Sequence, residues 1–181
     1  MKKTFSVFLF LALSIMAWSQ APAHAAAPNT KDPVAAALGA IMTRQQGNLI
    51  NAITAMPADK FGYKPTPDQI TFGHLAAHIA EANYNFCAAV GGVALPKIES
   101  KESDPKDTLL AAAKASFDFC SDALAKMDDS KLGEQVDLFG SKTSRAGAVL
   151  RLASAWADHY GAAAMYLRLN GILPPSAQPK K

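Results

Sequence analysis

The sequence predicts an all-α protein, a four-helix bundle, and three observations carry that prediction. Four stretches of about 20 residues repeat apolar side chains at steps of three and four, no segment alternates with the period of two that a half-buried strand requires, and alanine is abundant throughout. Helices of that length each bury one stripe, and packing four of them around a common core satisfies all four at once. The composition agrees. With 181 residues, 50% hydrophobic and 18% charged, the chain is neither disordered nor collagen-like, and two cysteines are too few for a disulfide scaffold.

The first 25 residues read as a secretory signal peptide, outside the fold. Lys2 and Lys3 form a basic start, Phe5 to Trp18 an apolar run, and Ala23-His24-Ala25 a small-x-small cleavage site. The run is shorter than the roughly 20 residues of a membrane span and no stop-transfer segment follows, so no stable span is expected after cleavage. Removing 25 of the 181 residues leaves 156, and losing two lysines lowers the formal charge from +3 to +1. A near-neutral domain has no electrostatic footprint for nucleic acid. The expected location is periplasmic or secreted.

Residues 26–32 (AAPNTKD) are small and polar, a flexible lead-in to a bundle expected over 33–175. The first helix starts at Pro33 and carries Val34, Leu38, Ile41, Met42, Leu49, Ile50, Ile53 and Met56 up to the Pro57 stop. FGYKPTPDQI, with two prolines, breaks the pattern. The second helix opens either at Thr66, where Thr-Pro-Asp-Gln has capping-box spacing, or at Thr71. Its stripe is Leu75, Ile79, Ala82 and Phe86, and Gly91-Gly92 ends it. A linker to Asp104 leads to the third helix, from about Pro105 to Met127, with Leu109, Ala113, Phe117, Cys120 and Leu124 on one face. Residues 128–143 are expected to be a second long connection, containing the apolar pair Leu138-Phe139. The fourth helix, from about Ser144 to Asn170, carries Val149, Leu152, Trp156, Ala163 and Leu167, and Gly171 and Pro174-Pro175 follow it. Residues 176–181 are expected to be a disordered tail.

Connection length bears on topology. Fourteen residues between helices two and three (91–104) span roughly 45 Å when extended, more than the roughly 30 Å of a 20-residue helix, so a crossover leaving those helices parallel is permitted. Cys87 and Cys120 lie at similar depths in their helices. Parallel helices would place them level, whereas antiparallel ones would separate them by roughly 20 Å, too far for a bridge. In an oxidising compartment they form either a disulfide or two buried thiols; the residues alone leave both open.

After the signal peptide the chain has three histidines. His74 and His78, at i and i+4 on helix two, lie on one face about 6 Å apart at Cβ, a spacing that can chelate one metal ion. On a helical wheel His78 falls at the edge of the apolar stripe, with His74 slightly further out, and His159 occupies the same edge position on helix four. All three can meet in one groove, although a histidine beside a core stripe is more often hydrogen-bonded structure. Asn83, Tyr84, Asn85, Tyr160 and Tyr166 could line a pocket near them or cap networks at the core edge. Arg168 suits the negative end of helix four. Gly140-Ser-Lys-Thr-Ser144 lacks the leading glycine and the preceding strand of a phosphate loop, and no Ser-His-Asp ordering stands out.

The stretches DHYGAAAMYLRLNGILPPS and LAAHIAEANYNFCAAV, together with LFGSKTSRAGAV before helix four, resemble the DinB-like (DinB/YfiT) superfamily, and its exported branch in particular. The similarity covers nearly the whole mature chain. It implies an up-down-down-up bundle, which places the two cysteines level and favours the Cys87–Cys120 disulfide. It also implies a divalent metal, zinc or nickel, held by one histidine of helix two and a His-x-x-x-His pair of helix four. His78 matches the first ligand and His159 the last. The remaining ligand position falls on Ala155, and the glutamine that often follows is Ala162, so the site is degenerate. His74 is the better candidate to complete it, ahead of Glu81 or Asp158.

Two functions follow from the resemblance. One is metal-dependent hydrolysis or transfer on a small molecule, with hydrolysis favoured because an exported protein meets little cytosolic thiol cofactor. The other is a non-catalytic binding or stress-related bundle of the cell envelope, in which a homodimer is also conceivable.

Overall fold

Each helix of the computed structural model, which describes residues 31–179, begins where the sequence supplies a cap or a fixed φ. The signal-peptide assignment and most of the lead-in lie outside the described residues. Helix α1 (Pro33–Ala55) starts with proline at its first position. Its free N–H groups at Val34 and Ala35 donate to the Asp129 carboxylate at 2.7 and 3.0 Å, and the Asp129 N–H donates back to Asp32 Oδ1 at 3.1 Å. Helix α2 (Phe72–Gly91) is capped by the Thr71 hydroxyl, which accepts from the His74 N–H. That settles the alternative start at Thr66. Helix α3 (Lys106–Leu124) follows Pro105, and α4 (Arg145–Leu169) is capped by Ser144, whose hydroxyl accepts from the Gly147 N–H at 3.1 Å.

Contacts at the two ends of the bundle fix the helix directions. At one end the Lys106 ammonium donates to the carbonyls of Thr54 and Met56, joining the start of α3 to the end of α1, and the Tyr166 hydroxyl donates to the Ile70 carbonyl, joining the end of α4 to the approach to α2. At the other end Arg145 donates to the Ala89 and Val90 carbonyls, and a Cβ on Gly91 would lie 2.7 Å from the Ala123 carbonyl. Helices α2 and α3 are therefore parallel, and α1 and α4 run opposite to them. The expected up-down-down-up four-helix bundle is the observed fold. Cys87 and Cys120, both fully buried, are joined in a disulfide with a Cα–Cα distance of 5.1 Å, as the parallel crossover permits.

The core centres on Trp156 of α4, fully buried and offset-stacked on Phe117 of α3. Its indole N–H donates to Asn83 Oδ1 at 2.7 Å, Asn83 Nδ2 donates to the Ser116 hydroxyl at 3.0 Å, and Ser116 donates to the Ala113 carbonyl at 2.8 Å. This satisfied chain ties α2, α3 and α4 together where an unpaired polar group would destabilise the fold.

The connection over 128–143 is not strand-free as expected. It holds an antiparallel hairpin, β1 (Gln135–Leu138) and β2 (Ser141–Ser144), with Leu138 paired to Ser141 across a two-residue turn. Phe139 and Gly140 both have positive φ, 54° and 74°, the signature of a type I′ turn. That turn usually carries Asn-Gly, and a phenylalanine in its first central position conceals it. The Phe139 ring is half exposed but packs edge-on against Phe86, while Leu138 and Val136 enter the core. At the C-terminus a 3₁₀ turn, Pro175–Ala177, overlaps the expected tail; the Ser176 N–H donates to Tyr160 Oη at 2.8 Å. Among the described residues no helix is long and apolar enough to cross a membrane.

Candidate functional site

Two of the three histidines come together. The rings of His78 on α2 and His159 on α4 meet edge-on with centroids 5.0 Å apart. His78 is exposed, whereas His159 lies deeper and its Nδ1 is buried without a hydrogen-bond partner. Burial, and after it the charge of His78, hold the His159 imidazole down at about pKa 4 against a weaker upward pull from Asp158. His159 is therefore neutral at physiological pH.

His74 does not join the pair. It sits one helical turn before His78, and its Nδ1 is bonded to the Glu102 carboxylate of the α2–α3 crossover. The start of α2 presents Gly73 there, and a Cβ on it would lie 3.0 Å from the Glu102 carbonyl. Glycine lets the crossover backbone press onto α2, which brings the Glu102 side chain over His74. Between helix and crossover lies a cavity of about 360 Å³ lined by His74, Ala77, His78, Glu81, Ile98, Ser100 and Glu102.

Among the described residues no group of three or more His, Cys, Asp or Glu side chains is placed to hold a metal ion. His78 and His159 provide two imidazoles. Ala155, one turn before His159, and Ala162 are half-buried apolar side chains packed against the core and bring no donor atom. Asp158 is exposed, and Glu81 faces the groove beside His74.

The other polar residues that could line a pocket or cap networks at the core edge make structural contacts. Asn83 belongs to the core chain with Trp156. Tyr84 packs on Phe119, and burial followed by the charge of Asp118 raises its hydroxyl pKa. Tyr160 and Tyr166 anchor backbone at Ser176 and Ile70, and Asn85 donates to the Glu81 carbonyl. The groove residues absent from the sequence reading, Ile98, Ser100 and Glu102, all lie in the crossover. No local periodicity marks them, because the close approach at Gly73 places them.

A family model described as the DinB superfamily matches residues 41–163, and the chain belongs to that superfamily. No curated protein matches it. Among solved structures it is similar to a DinB-like protein from Bacillus cereus ATCC 10987, with 17% identity over 76% of this chain and 93% of the other and a TM-score of 0.64. It is also similar to the DinB-like protein YjoA of Bacillus subtilis, with 17% identity over 79% and 99% and a TM-score of 0.65. At that identity the likeness speaks for the fold alone.

Proposed function

We propose that this chain is an exported, degenerate member of the DinB superfamily that binds a small molecule in the cell envelope without a resident metal ion. The observation that carries the reading is the donor set: His78 and His159 meet, while the position where the family resemblance expects the third ligand is Ala155 and the nearest spare imidazole, His74, is bonded to Glu102. Two imidazoles fall one donor short of the three protein ligands usual at an open zinc site. The signal-peptide pattern of the first 25 residues supports export, and a disulfide fits an oxidising compartment.

One observation favours the metal-dependent hydrolase or transferase as a second reading. The buried, unpartnered Nδ1 of His159 is the kind of atom a metal ion or an ordered water satisfies. In that reading His78 and His159 would be the protein ligands of a zinc or nickel ion. Elemental analysis of the purified mature protein, with melting curves in added zinc and nickel, separates the two. The metal-free reading predicts a substoichiometric metal content and an unchanged melting temperature. One equivalent of zinc or nickel per chain, lost in His78→Ala, would replace it with the second reading.

A further inference from the structure

We propose that the cavity between α2 and the α2–α3 crossover is the ligand site of this protein, and that its ligand is a small organic cation, an amine or diamine on a short alkyl body. The proposal rests on the small-molecule-binding reading above and names its place and chemistry. The cavity, at about 360 Å³, lies in the range of small-molecule sites.

The lining selects the class. The Glu81 and Glu102 carboxylates, the His74 and His78 imidazoles and the Ser100 hydroxyl supply its polar surface, and no lysine or arginine lines it. Of the crossover lysines, Lys97 is paired with Glu99 at 2.9 Å and Lys101 is not among the residues that line the cavity. The neighbouring cavity on the other side of Glu102 continues the pattern, with Asp104, Ser103 and Thr71 and again no basic side chain. An anion entering here would meet the Glu81 and Glu102 carboxylates with no lysine or arginine beside them. A cation would find charge-assisted acceptors, and Ile98 and Ala77 offer apolar contact for an alkyl chain.

The site is also built in advance of any ligand. Glu102 is held by its bond to His74 and by the backbone approach that Gly73 permits, so one acidic wall does not have to be ordered on binding. A loose acidic surface would lack both restraints. His78 links the cavity to the His78–His159 pair, because it lines the first and touches the second.

Calorimetric titration of the mature protein with 1,4-diaminobutane, in buffer containing EDTA, tests the proposal, with succinate as the chain-matched dianion. The expected result is saturable 1:1 binding of the diamine and none of succinate. Glu102→Gln and Glu81→Gln should each weaken it by about tenfold or more, the loss of one charge-assisted hydrogen bond. Both residues are exposed, so unchanged melting curves are expected and guard against a folding artefact. Absence of diamine binding, preference for succinate, or equal affinity in both folded variants would overturn the proposal. The outcome is separable from the metal reading. Diamine binding that depends on the two glutamates supports the site even if elemental analysis finds zinc, and a metal-free protein that ignores the diamine overturns the site alone.

Discussion

Removing the Cys87–Cys120 bridge should lower the stability of the bundle by about 4 kcal/mol. The bridge closes a loop of sequence separation 33, and the chain-entropy relation for a loop of that length gives about 3.7 kcal/mol at 25 °C. Against a total of roughly 5–15 kcal/mol for a domain, this is a large share. The perturbation of choice is the double variant Cys87→Ala/Cys120→Ala. Both sulfurs are fully buried, so alanine avoids placing an unpaired hydroxyl in the core. In urea, with a slope of about 2 kcal/mol/M for a domain of this size, the midpoint should fall by about 2 M, and reduction of the native protein should produce a similar shift. Thiol titration of the oxidised, unfolded chain should find no free thiol. Two free thiols would refute the bridge, and an unchanged urea midpoint in the double variant would refute the chain-entropy reasoning behind its contribution.

Four further outcomes follow from the same structure. Asn83→Leu leaves the buried Trp156 N–H without its acceptor and Ser116 without its donor, so unfolding monitored by tryptophan fluorescence should show a loss of about 2–4 kcal/mol. Acid should destabilise the fold through His159. Its folded pKa, about 4, lies below the unfolded 6.5, so its contribution is complete above pH 6.5 and is lost as pH falls toward 4, by about 3 kcal/mol in all; in urea melts from pH 7.5 to 4, His159→Gln should flatten that slope. Gly91→Ala forces a Cβ to within 2.7 Å of the Ala123 backbone carbonyl, and calorimetry should register about 1–3 kcal/mol of destabilisation. Phe139→Asn or Phe139→Gly relieves the left-handed strain but gives up the edge contact with Phe86, so the urea midpoint should move by less than about 1 kcal/mol equivalent in either direction.

Most of the fold was legible in the sequence because its signals are local and repeated. Thr71 and Ser144 cap their helices, Pro33 and Gly92 punctuate theirs, and the apolar stripes around Leu75, Phe117 and Trp156 are the core. The hairpin was hidden because each strand is four residues long and its turn carries phenylalanine where asparagine would announce it. Of the candidate site, the meeting of His78 and His159 was readable from wheel angles, since both lie at the edge of a buried stripe. The bond of His74 to Glu102 was not. It depends on a crossover passing close over Gly73, a long-range approach that spacing along one helix does not encode.

The proposed function holds that this bundle keeps the DinB fold but falls one ligand short of a metal centre. Titrating nickel into the wild-type mature protein and into Ala155→His, followed by calorimetry and by the d–d absorption of the bound ion, tests it most directly. The expected result is no stoichiometric binding to the wild type and one nickel per chain in the variant, where a third imidazole stands one turn from His159 on α4. Tight one-to-one binding by the wild type, unchanged in Ala155→His, would contradict it.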